Sequence, residues 1–378
     1  MSVGRAFVAT WHAVLTTRTL LSTTLLAVVL YAFYYPAPYA HETAQRLPVI
    51  VVDQAGSVFS RALVRDLEAT RAMTVAGVVT DLAQARARMR RGEADGVILL
   101  TPGLERQALT GAPGAGVAVW VNATYLLRAS TIGAAVAAVL RDLATERLVH
   151  GGQVVRAGPP VTIVRVALFN PTGGYKGYVF PAVAVIIVQQ TLLFGVAIFI
   201  GMRRRAGNWR MGHAQFLGSW AAFTSMGILS CLLLFGLMFW LQGVPLEQNM
   251  AGMLAAVPLF SAAVAGAGLW IGSFFDHGER AMVILGPTSV PFFFLTGTAW
   301  PLDQMPRFLQ AIAQLIPSTA GVHTFVPLNQ MGATLSDVRG ELGVLAALAL
   351  GYGGLAWWRI AGLGPAQART KQKAQPTR

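Results

Sequence analysis

The stretch Val179–Arg205, VFPAVAVIIVQQTLLFGVAIFIGMRRR, decides the fold of this chain. Its apolar part, Val179–Met202, contains no Asp, Glu, Lys, Arg or His. At ~1.5 Å per residue, a helix of this length crosses a hydrocarbon core of roughly 30 Å. The three arginines that follow mark its cytoplasmic end, because positive charge accumulates on that side of a membrane. The stretch therefore predicts a transmembrane helix that ends in the cytoplasm.

Five further apolar runs without ionisable residues surround this one along the chain. Of the 378 residues, 54% are hydrophobic and only 12% are charged. That charged share is about half of what an ordinary soluble domain carries. The sequence thus predicts a polytopic α-helical membrane protein with six transmembrane helices. The other five runs are Thr19–Pro36, Leu217–Leu241, Met250–Phe275, Ala281–Ala299 and Leu342–Trp358.

Residues 41–170, between the first two runs, have a different character. Strand-like and helix-like segments alternate there, which predicts an inserted extracytoplasmic α/β domain with a mixed sheet. The predicted strands are Leu47–Gln54, Met73–Val79, Asp95–Thr101, Gly116–Asn122 and Val161–Phe169. The predicted helices are Ser57–Thr70, Asp81–Ala94 and Tyr125–Leu148.

The basic residues fix the predicted orientation. Arginines and lysines follow the second and the last apolar runs, whereas Gln242–Asn249 has neither. We therefore expect both termini in the cytoplasm and the α/β domain outside, in a bacterial inner membrane. The predicted parts are a cytoplasmic amphipathic segment (1–18), a first transmembrane helix (19–36), the periplasmic domain (41–170), a five-helix transmembrane domain (177–358) and a basic cytoplasmic tail (359–378).

The sequence argues against several kinds of chemistry. Ion-coupled transporters and charged pores carry ionisable groups within their spans, and these spans have none. None of the lysines, Lys176, Lys371 and Lys373, stands in a phosphate-binding G-x-x-x-x-G-K-[ST] loop. We predict no enzymatic activity, no metal and no cofactor in this chain. The net charge of +13 lies mostly beside the apolar runs, so we expect contact with membrane lipid and not with nucleic acid.

Three segments resemble the ABC-2 type permeases of ABC exporters. They are the Asn-Pro-led entry to the second run (Phe169–Gly195), the turn Phe274–Met282, and the proline-rich Phe292–Phe325. The resemblance covers nearly the whole chain. It implies a half-transporter that exports a substrate, pairs with a second permease chain, and uses ATP on separate cytoplasmic ATPase subunits. The subgroup with a large outer domain after the first span often works with a periplasmic adaptor.

The resemblance directs attention to three sets of residues. The arginine-rich loop Arg203–Phe216 is a candidate coupling helix for the ATPase, or else an anchoring charge cluster. Polar residues within the spans are a candidate substrate path, or else hydrogen-bonding contacts between helices. The segment Pro301–Gln330 is a candidate outer gate of short helices, or else an ordinary loop. The candidate coupling residues are Arg203, Arg204, Arg205, Trp209 and Arg210. The candidate path residues are Gln189, Gln190, Thr224, Ser225 and Ser230. The candidate gate residues are Trp300, Pro301, Met305, Pro306 and Pro317.

Two other functions stay open from the sequence. One is an ABC-coupled mechanical or signalling membrane protein with a ligand-binding periplasmic domain and no transported substrate. The other is a receptor held in place by its spans. Five spans after the domain favour export over both. A pair of glycines, Gly268 and Gly272, also permits close helix packing, for which a dimer interface is one location.

Overall fold

The computed structural model describes residues 1–39, 45–104, 116–121, 126–150, 174–244 and 249–362. The chain divides into two compact units, one of Met1–Ala40 with Ala167–Arg378 and one of His41–Val166. The predicted strand Val161–Phe169 and most of the predicted basic tail lie outside the described residues.

The first unit begins with two helices, α1 (Val3–Thr16) and α2 (Arg18–Tyr39). Thr17 separates them because its backbone is extended, with φ of −97° and ψ of 111°. The buried residues of α1 are Ala6, Thr10 and Val14. Since residues four apart share one face of a helix, α1 is amphipathic and buries a single stripe.

In its described residues, the second unit has a four-stranded sheet and three helices. Its elements in chain order are β1 (Leu47–Asp53), α3 (Val58–Ala69), β2 (Met73–Val79), α4 (Leu82–Arg90), β3 (Gly96–Leu100), β4 (Val117–Val121) and α5 (Leu126–His150). The strand order is β2-β1-β3-β4, with β1 parallel to β2 and β3, and with β4 antiparallel to β3. The predicted mixed α/β domain is confirmed.

Strand β1 is buried on both faces. Val49 and Val51 belong to one apolar cluster, and Ile50 and Val52 belong to another. Successive side chains point to opposite faces of a strand, so each cluster lies on its own side of the sheet. A central parallel strand covered on both sides explains why LPVIVVD is almost continuously apolar.

From residue 174 to residue 362, the described part of the first unit continues with eight helices. They are α6 (Tyr175–Arg205), α7 (His213–Gln242), α8 (Met250–Gly272), α9 (Gly278–Leu285), α10 (Ser289–Leu295), α11 (Arg307–Gln314), α12 (Pro317–Gln330) and α13 (Arg339–Ile360). Among the described residues, five helices are long and apolar enough to cross a membrane, namely α2, α6, α7, α8 and α13. They fall in five of the six apolar runs predicted as spans, which supports a helical membrane protein.

The run Ala281–Ala299, predicted as the fifth span, is broken into α9 and α10 by a 3-10 turn at Gly286–Thr288. Pro287 lies in this turn, and proline cannot donate the backbone hydrogen bond that would continue the helix. The apolar helical part, Arg280–Leu295, is shorter than the other five. A sixth span therefore stays a prediction.

Helix α6 is the centre of the first unit, and α8 packs closely against it. A Cβ atom at Gly268 would lie 2.9 Å from Cβ of Val196, and one at Gly272 would lie 3.0 Å from Cα of Ala197. Only glycine permits this approach of two helix backbones. The two glycines thus pack α8 against α6 within one chain, which leaves no ground for assigning them to a dimer interface.

Candidate functional site

The candidate coupling residues lie where α6 ends and α7 begins. Helix α6 ends at Arg205 and α7 starts at His213, so Arg203–Phe216 consists of two helix ends joined by a loop. Between them lies a loop in which Trp209 is half-buried. The guanidinium carbons of Arg204 and Arg210 lie 5.1 and 5.2 Å from the centre of its ring. At that distance both cations interact with the aromatic face.

Arg204 joins this loop to a second turn. Its Nε lies 2.9 Å from a carboxylate oxygen of Asp276, and its Nη1 donates to the carbonyl of Ser273 over 2.8 Å. Arg359, at the end of α13, stacks on Phe274 with its guanidinium carbon 4.0 Å from the ring centre. We call the combined surface Arg203–Gly212 and Ser273–Gly278 the arginine platform.

A close backbone contact joins the arginine platform to helices α6 and α9. A Cβ atom at Gly201 of α6 would lie 2.5 Å from the backbone nitrogen of Gly278, the first residue of α9. A Cβ atom at Gly278 would lie 3.0 Å from Cα of Ile198. Both glycines are therefore needed for α9 to start directly against α6. Arg203 further supports the loop by donating from Nη2 to the carbonyl of Asn208 over 2.7 Å.

Gln190 connects α6 to the break between α9 and α10. Its amide nitrogen donates to the Ser289 hydroxyl over 2.8 Å and lies 3.2 Å from the Thr288 hydroxyl. The Ser289 hydroxyl donates a hydrogen bond to the Gly286 carbonyl, and the Thr288 hydroxyl donates one to the Leu285 carbonyl. The two hydroxyls can therefore only accept from Gln190, which fixes the orientation of the amide. Its oxygen is buried and has no partner among the described residues.

Gln189, the neighbouring residue, points to a different element. Its side-chain oxygen accepts from the backbone N–H of Ser318 over 2.7 Å, and it is 1% exposed. Ser318 lies in the first turn of α12, where backbone N–H groups have no partner within the helix. Gln189 thus caps α12, and the two adjacent glutamines attach α6 to two different segments.

The other three candidate path residues lie on α7. Ser225 accepts a hydrogen bond from Trp11 Nε1 over 2.9 Å, which fastens α1 to α7. Ser230 donates to the carbonyl of Met226 over 2.9 Å within its own helix. Thr224 is half-buried on the same helix. Ser225 thus matches the alternative interpretation, a hydrogen-bonding contact between helices, whereas the bond of Ser230 stays within α7.

A cavity of about 500 Å³ lies between α2, α6 and the α9–α10 segment. Of the five candidate path residues, its described wall contains Gln190 alone. The sequence analysis missed the rest of the wall, to which Tyr31, Tyr35 and Ser289 contribute. A polar residue in an apolar run was the signal that identified Gln190. The tyrosines gave no such signal, because tyrosine is common near membrane surfaces.

The segment predicted as an outer gate lies at the end of the unit opposite the arginine platform. Pro301 and Pro306 immediately precede short helices, and Pro317 is the first residue of α12. Trp300 is 58% exposed, whereas most of α12 is buried. Met305 links the 3-10 turn Leu302–Gln304 to α11. The segment is thus a pair of short helices, one at the surface and one inserted.

A second cavity, of about 360 Å³, lies beside this segment. The Tyr178 hydroxyl donates to the Thr298 carbonyl across it, and His323 Nε2 lies 2.9 Å from the Thr296 carbonyl. The carbonyl accepts, so this ring nitrogen carries a proton. Gln330 donates to the carbonyl of Gly177 over 2.9 Å. These bonds join the start of α6 to the inserted helix.

Long apolar helices, an inserted α/β domain and a glycine-packed central helix define a multi-pass α-helical membrane protein. The sequence profile described as ABC-2 family transporter protein matches residues 17–358. The chain therefore belongs to the ABC-2 transporter family and is a membrane subunit of an ABC transporter. The family implies a partner ATPase subunit.

Two curated relatives are similar to parts of the chain. The linearmycin resistance permease protein LnrN of Bacillus subtilis is 29% identical over 110 residues, which are 29% of this chain and 28% of LnrN. The probable multidrug ABC transporter permease YbhR of Escherichia coli K12 is 19% identical over 156 residues, which are 39% of this chain and 42% of YbhR. The chain thus matches less than half the length of each relative.

Proposed function

We propose that this chain is the permease subunit of an ATP-driven exporter, moving a small molecule from the cytoplasm or the inner membrane outward. It pairs with a second permease chain, and a separate cytoplasmic subunit binds the ATP. Both termini and the arginine platform face the cytoplasm, and the α/β domain faces the periplasm, where an adaptor protein docks. The names of the two relatives, a resistance permease and a probable multidrug permease, support export of small molecules.

The observation that carries this proposal is the continuous connection from the arginine platform to the cavity. Within the platform, Asp276 and Ser273 bind Arg204 to the turn before α9, and Gly201 places α9 against α6. At the other end of α9, Gln190 holds the helix break that forms one wall of the cavity. A partner that binds the platform differently in its ATP-bound and ATP-free states would shift the wall of the cavity.

The first test concerns orientation. We expect reporter fusions at Gly207 and at the C-terminus to report cytoplasm, and a fusion near Gly111 to report periplasm. The reason is the arginine bias beside the apolar runs. A cytoplasmic signal at Gly111 would overturn the orientation, and with it the assignment of the platform to the ATPase.

The second test concerns the ATPase. Purified alone, the chain should hydrolyse no ATP, and from its host it should co-purify with a separate ATPase subunit. Replacing Trp209 and Arg210 together with alanine should reduce export and co-purification while membrane insertion stays unchanged, because the aromatic–cation contact that shapes the platform is lost.

The matched control is Trp240→Ala, since Trp240 is exposed at the far end of α7 and is not part of the platform. It should leave both export and co-purification intact. Normal export by the Trp209/Arg210 variant would mean that the coupling site lies outside this loop. Export after deletion of every partner ATPase would show that the exporter assignment is wrong. An ATPase partner with no transported substrate would favour the mechanical or signalling alternative.

A further inference from the structure

A third cavity, of about 200 Å³, lies where three helix ends meet: the start of α2, the end of α6 and the start of α9. Thr19 and Met202 in its wall are the terminal residues of two apolar runs, and arginines lie next to both in the sequence. This change from apolar to basic residues marks the level of the lipid headgroups. The cavity therefore lies at the boundary between the hydrocarbon core and water.

The polar side of the described wall consists of Thr17, Thr19 and Arg205. Thr19 and Arg205 are exposed and Thr17 is half-buried, so a ligand can reach all three. Thr17 precedes α2, and its side chain makes no capping hydrogen bond to that helix. A threonine hydroxyl can donate to an oxyanion, and the five N–H donors of an arginine allow Arg205 to bind one in addition to another partner.

The sequence around the cavity is strongly basic. Within two positions of a described wall residue there are five arginines but only two acidic residues. One of the two acids, Asp276, is paired with Arg204 over 2.9 Å. The excess of positive charge favours an anion in the cavity. The arginines are Arg18, Arg203, Arg204, Arg205 and Arg280, and the acidic residues are Asp276 and Glu279.

The other side of the described wall is apolar and consists of Ile198, Met202 and Met282. Met202 and Met282 are 43% and 38% exposed, so this side is open to the hydrocarbon next to the helices. A soluble anion would gain nothing from such a surface. A lipid would cover it with the first carbons of its acyl chains while its phosphate meets the arginine, as in other basic pockets between membrane helices.

We propose that this cavity binds the headgroup of an anionic phospholipid, with Arg205 as the main contact of the phosphate and Thr17 as a second contact. A volume of about 200 Å³ is below the ~300–1,000 Å³ of pockets for drug-sized molecules, but it admits a headgroup whose acyl chains stay in the bilayer. Gly201 and Gly278 also belong to the wall, so the lipid lies beside the contact that joins α6 to α9. This inference goes beyond the proposed function, and only the choice of the cytoplasmic leaflet rests on the proposed orientation.

The test is native mass spectrometry of the full-length permease in detergent, without ATP, which counts the lipids bound to each chain and measures their affinity. The probes are palmitoyl-oleoyl phosphatidylglycerol, which is anionic, and palmitoyl-oleoyl phosphatidylcholine, which has the same chains and no net charge. We expect one phosphatidylglycerol per chain to bind about tenfold more tightly than phosphatidylcholine, because the choline cation would lie among the arginines.

Arg205→Gln should weaken phosphatidylglycerol binding about tenfold, as for the loss of a hydrogen bond to a charged group. Thr17→Val keeps the charge and should weaken binding about threefold, as for the loss of one weaker hydrogen bond. The matched control is Arg339→Gln, which removes the same charge from the exposed first residue of α13, whose other end contacts Met211 of the platform loop. It should bind the lipid normally, and thermal unfolding without lipid shows whether each variant is folded.

Unchanged binding in both Arg205→Gln and Thr17→Val would overturn the site. An equal loss in Arg339→Gln would overturn it as well, because net charge and not the cavity would then attract the lipid. Displacement of phosphatidylglycerol by excess inorganic phosphate would show that the occupant is a soluble anion and not a lipid. Lipid bound to the monomer but absent from the dimer would show that a second copy of the chain covers the cavity.

The measurement needs neither ATP nor export, so the site and the proposed function can fail separately. Selective binding of phosphatidylglycerol by a chain that exports nothing in cells would refute the exporter and keep the site. Export by a chain that binds the two lipids equally would refute the site and keep the exporter.

Discussion

Gly201→Val should abolish export while the chain still inserts into the membrane. Even a Cβ atom at this position would lie 2.5 Å from the Gly278 nitrogen and 3.0 Å from the carbonyl carbon of His277. Both neighbours are backbone atoms, so no side-chain rotation can relieve the clash, and the start of α9 has to move away from α6. We expect a loss of about 1–3 kcal/mol in stability, as for other overpacked sites.

The functional loss should exceed this change in stability. In the proposed coupling path, the Gly201–Gly278 contact carries movement of the arginine platform to α9 and on to the helix break held by Gln190. Drug accumulation in cells measures export, and thermal unfolding of the purified permease measures stability. Gly351→Val is the matched control. Gly351 lies in α13, and a Cβ atom at this position would have no neighbouring group within 4 Å. Full export by Gly201→Val would exclude this contact from coupling.

Gly321→Val should displace the inserted helix α12 and give the second large loss. A Cβ atom at Gly321 would lie 2.8 Å from ring carbon Cε2 of Phe260 and 2.8 Å from a methyl carbon of Val185. Phe260 is fully buried and also packs edge-on against Phe325, with ring centres 5.2 Å apart. The ring therefore has no room to yield, and the helix must shift toward the surface.

Displacement of α12 should strain the cap that Gln189 provides to the Ser318 N–H. We expect export to fall at least tenfold and stability to fall by about 1–3 kcal/mol, while the ATPase subunit still co-purifies because the arginine platform is unchanged. Gly343→Val, on the open side of α13, serves as the control. Loss of ATPase co-purification in Gly321→Val alone would mean that the inserted helix also shapes the platform.

The two adjacent glutamines explain how an apolar helix organises its surroundings. Gln189 binds the start of α12, and Gln190 binds the break between α9 and α10. Successive residues of a helix point about 100° apart, so neighbouring side chains reach different partners. A buried hydrogen bond in an apolar environment specifies one arrangement, because a displaced partner would be left unsatisfied.

The sequence alone determined the long spans, the inserted α/β domain and the family. These features follow from local order: uninterrupted apolar runs, arginines beside them, and the continuously apolar β1 strand next to amphipathic helices. The break in the run Ala281–Ala299 also had a local signal, Gly286–Pro287, which the prediction did not use. Polar residues in the spans were recognisable as unusual, but their partners were not.

Only the tertiary structure decided which of those residues act together. Gln190 and Ser289 are far apart in sequence but are hydrogen-bonded to each other in the wall of the cavity. Ser225 instead binds Trp11 and so holds α1 against α7. Likewise, Gly268 and Gly272 pack within the chain, and Arg204 pairs with Asp276 of another turn. Hydrophobic periodicity records which face of a helix is buried, but not which helix covers it. The partner depends on how the helices pack in space, because each contact joins residues that no local pattern connects.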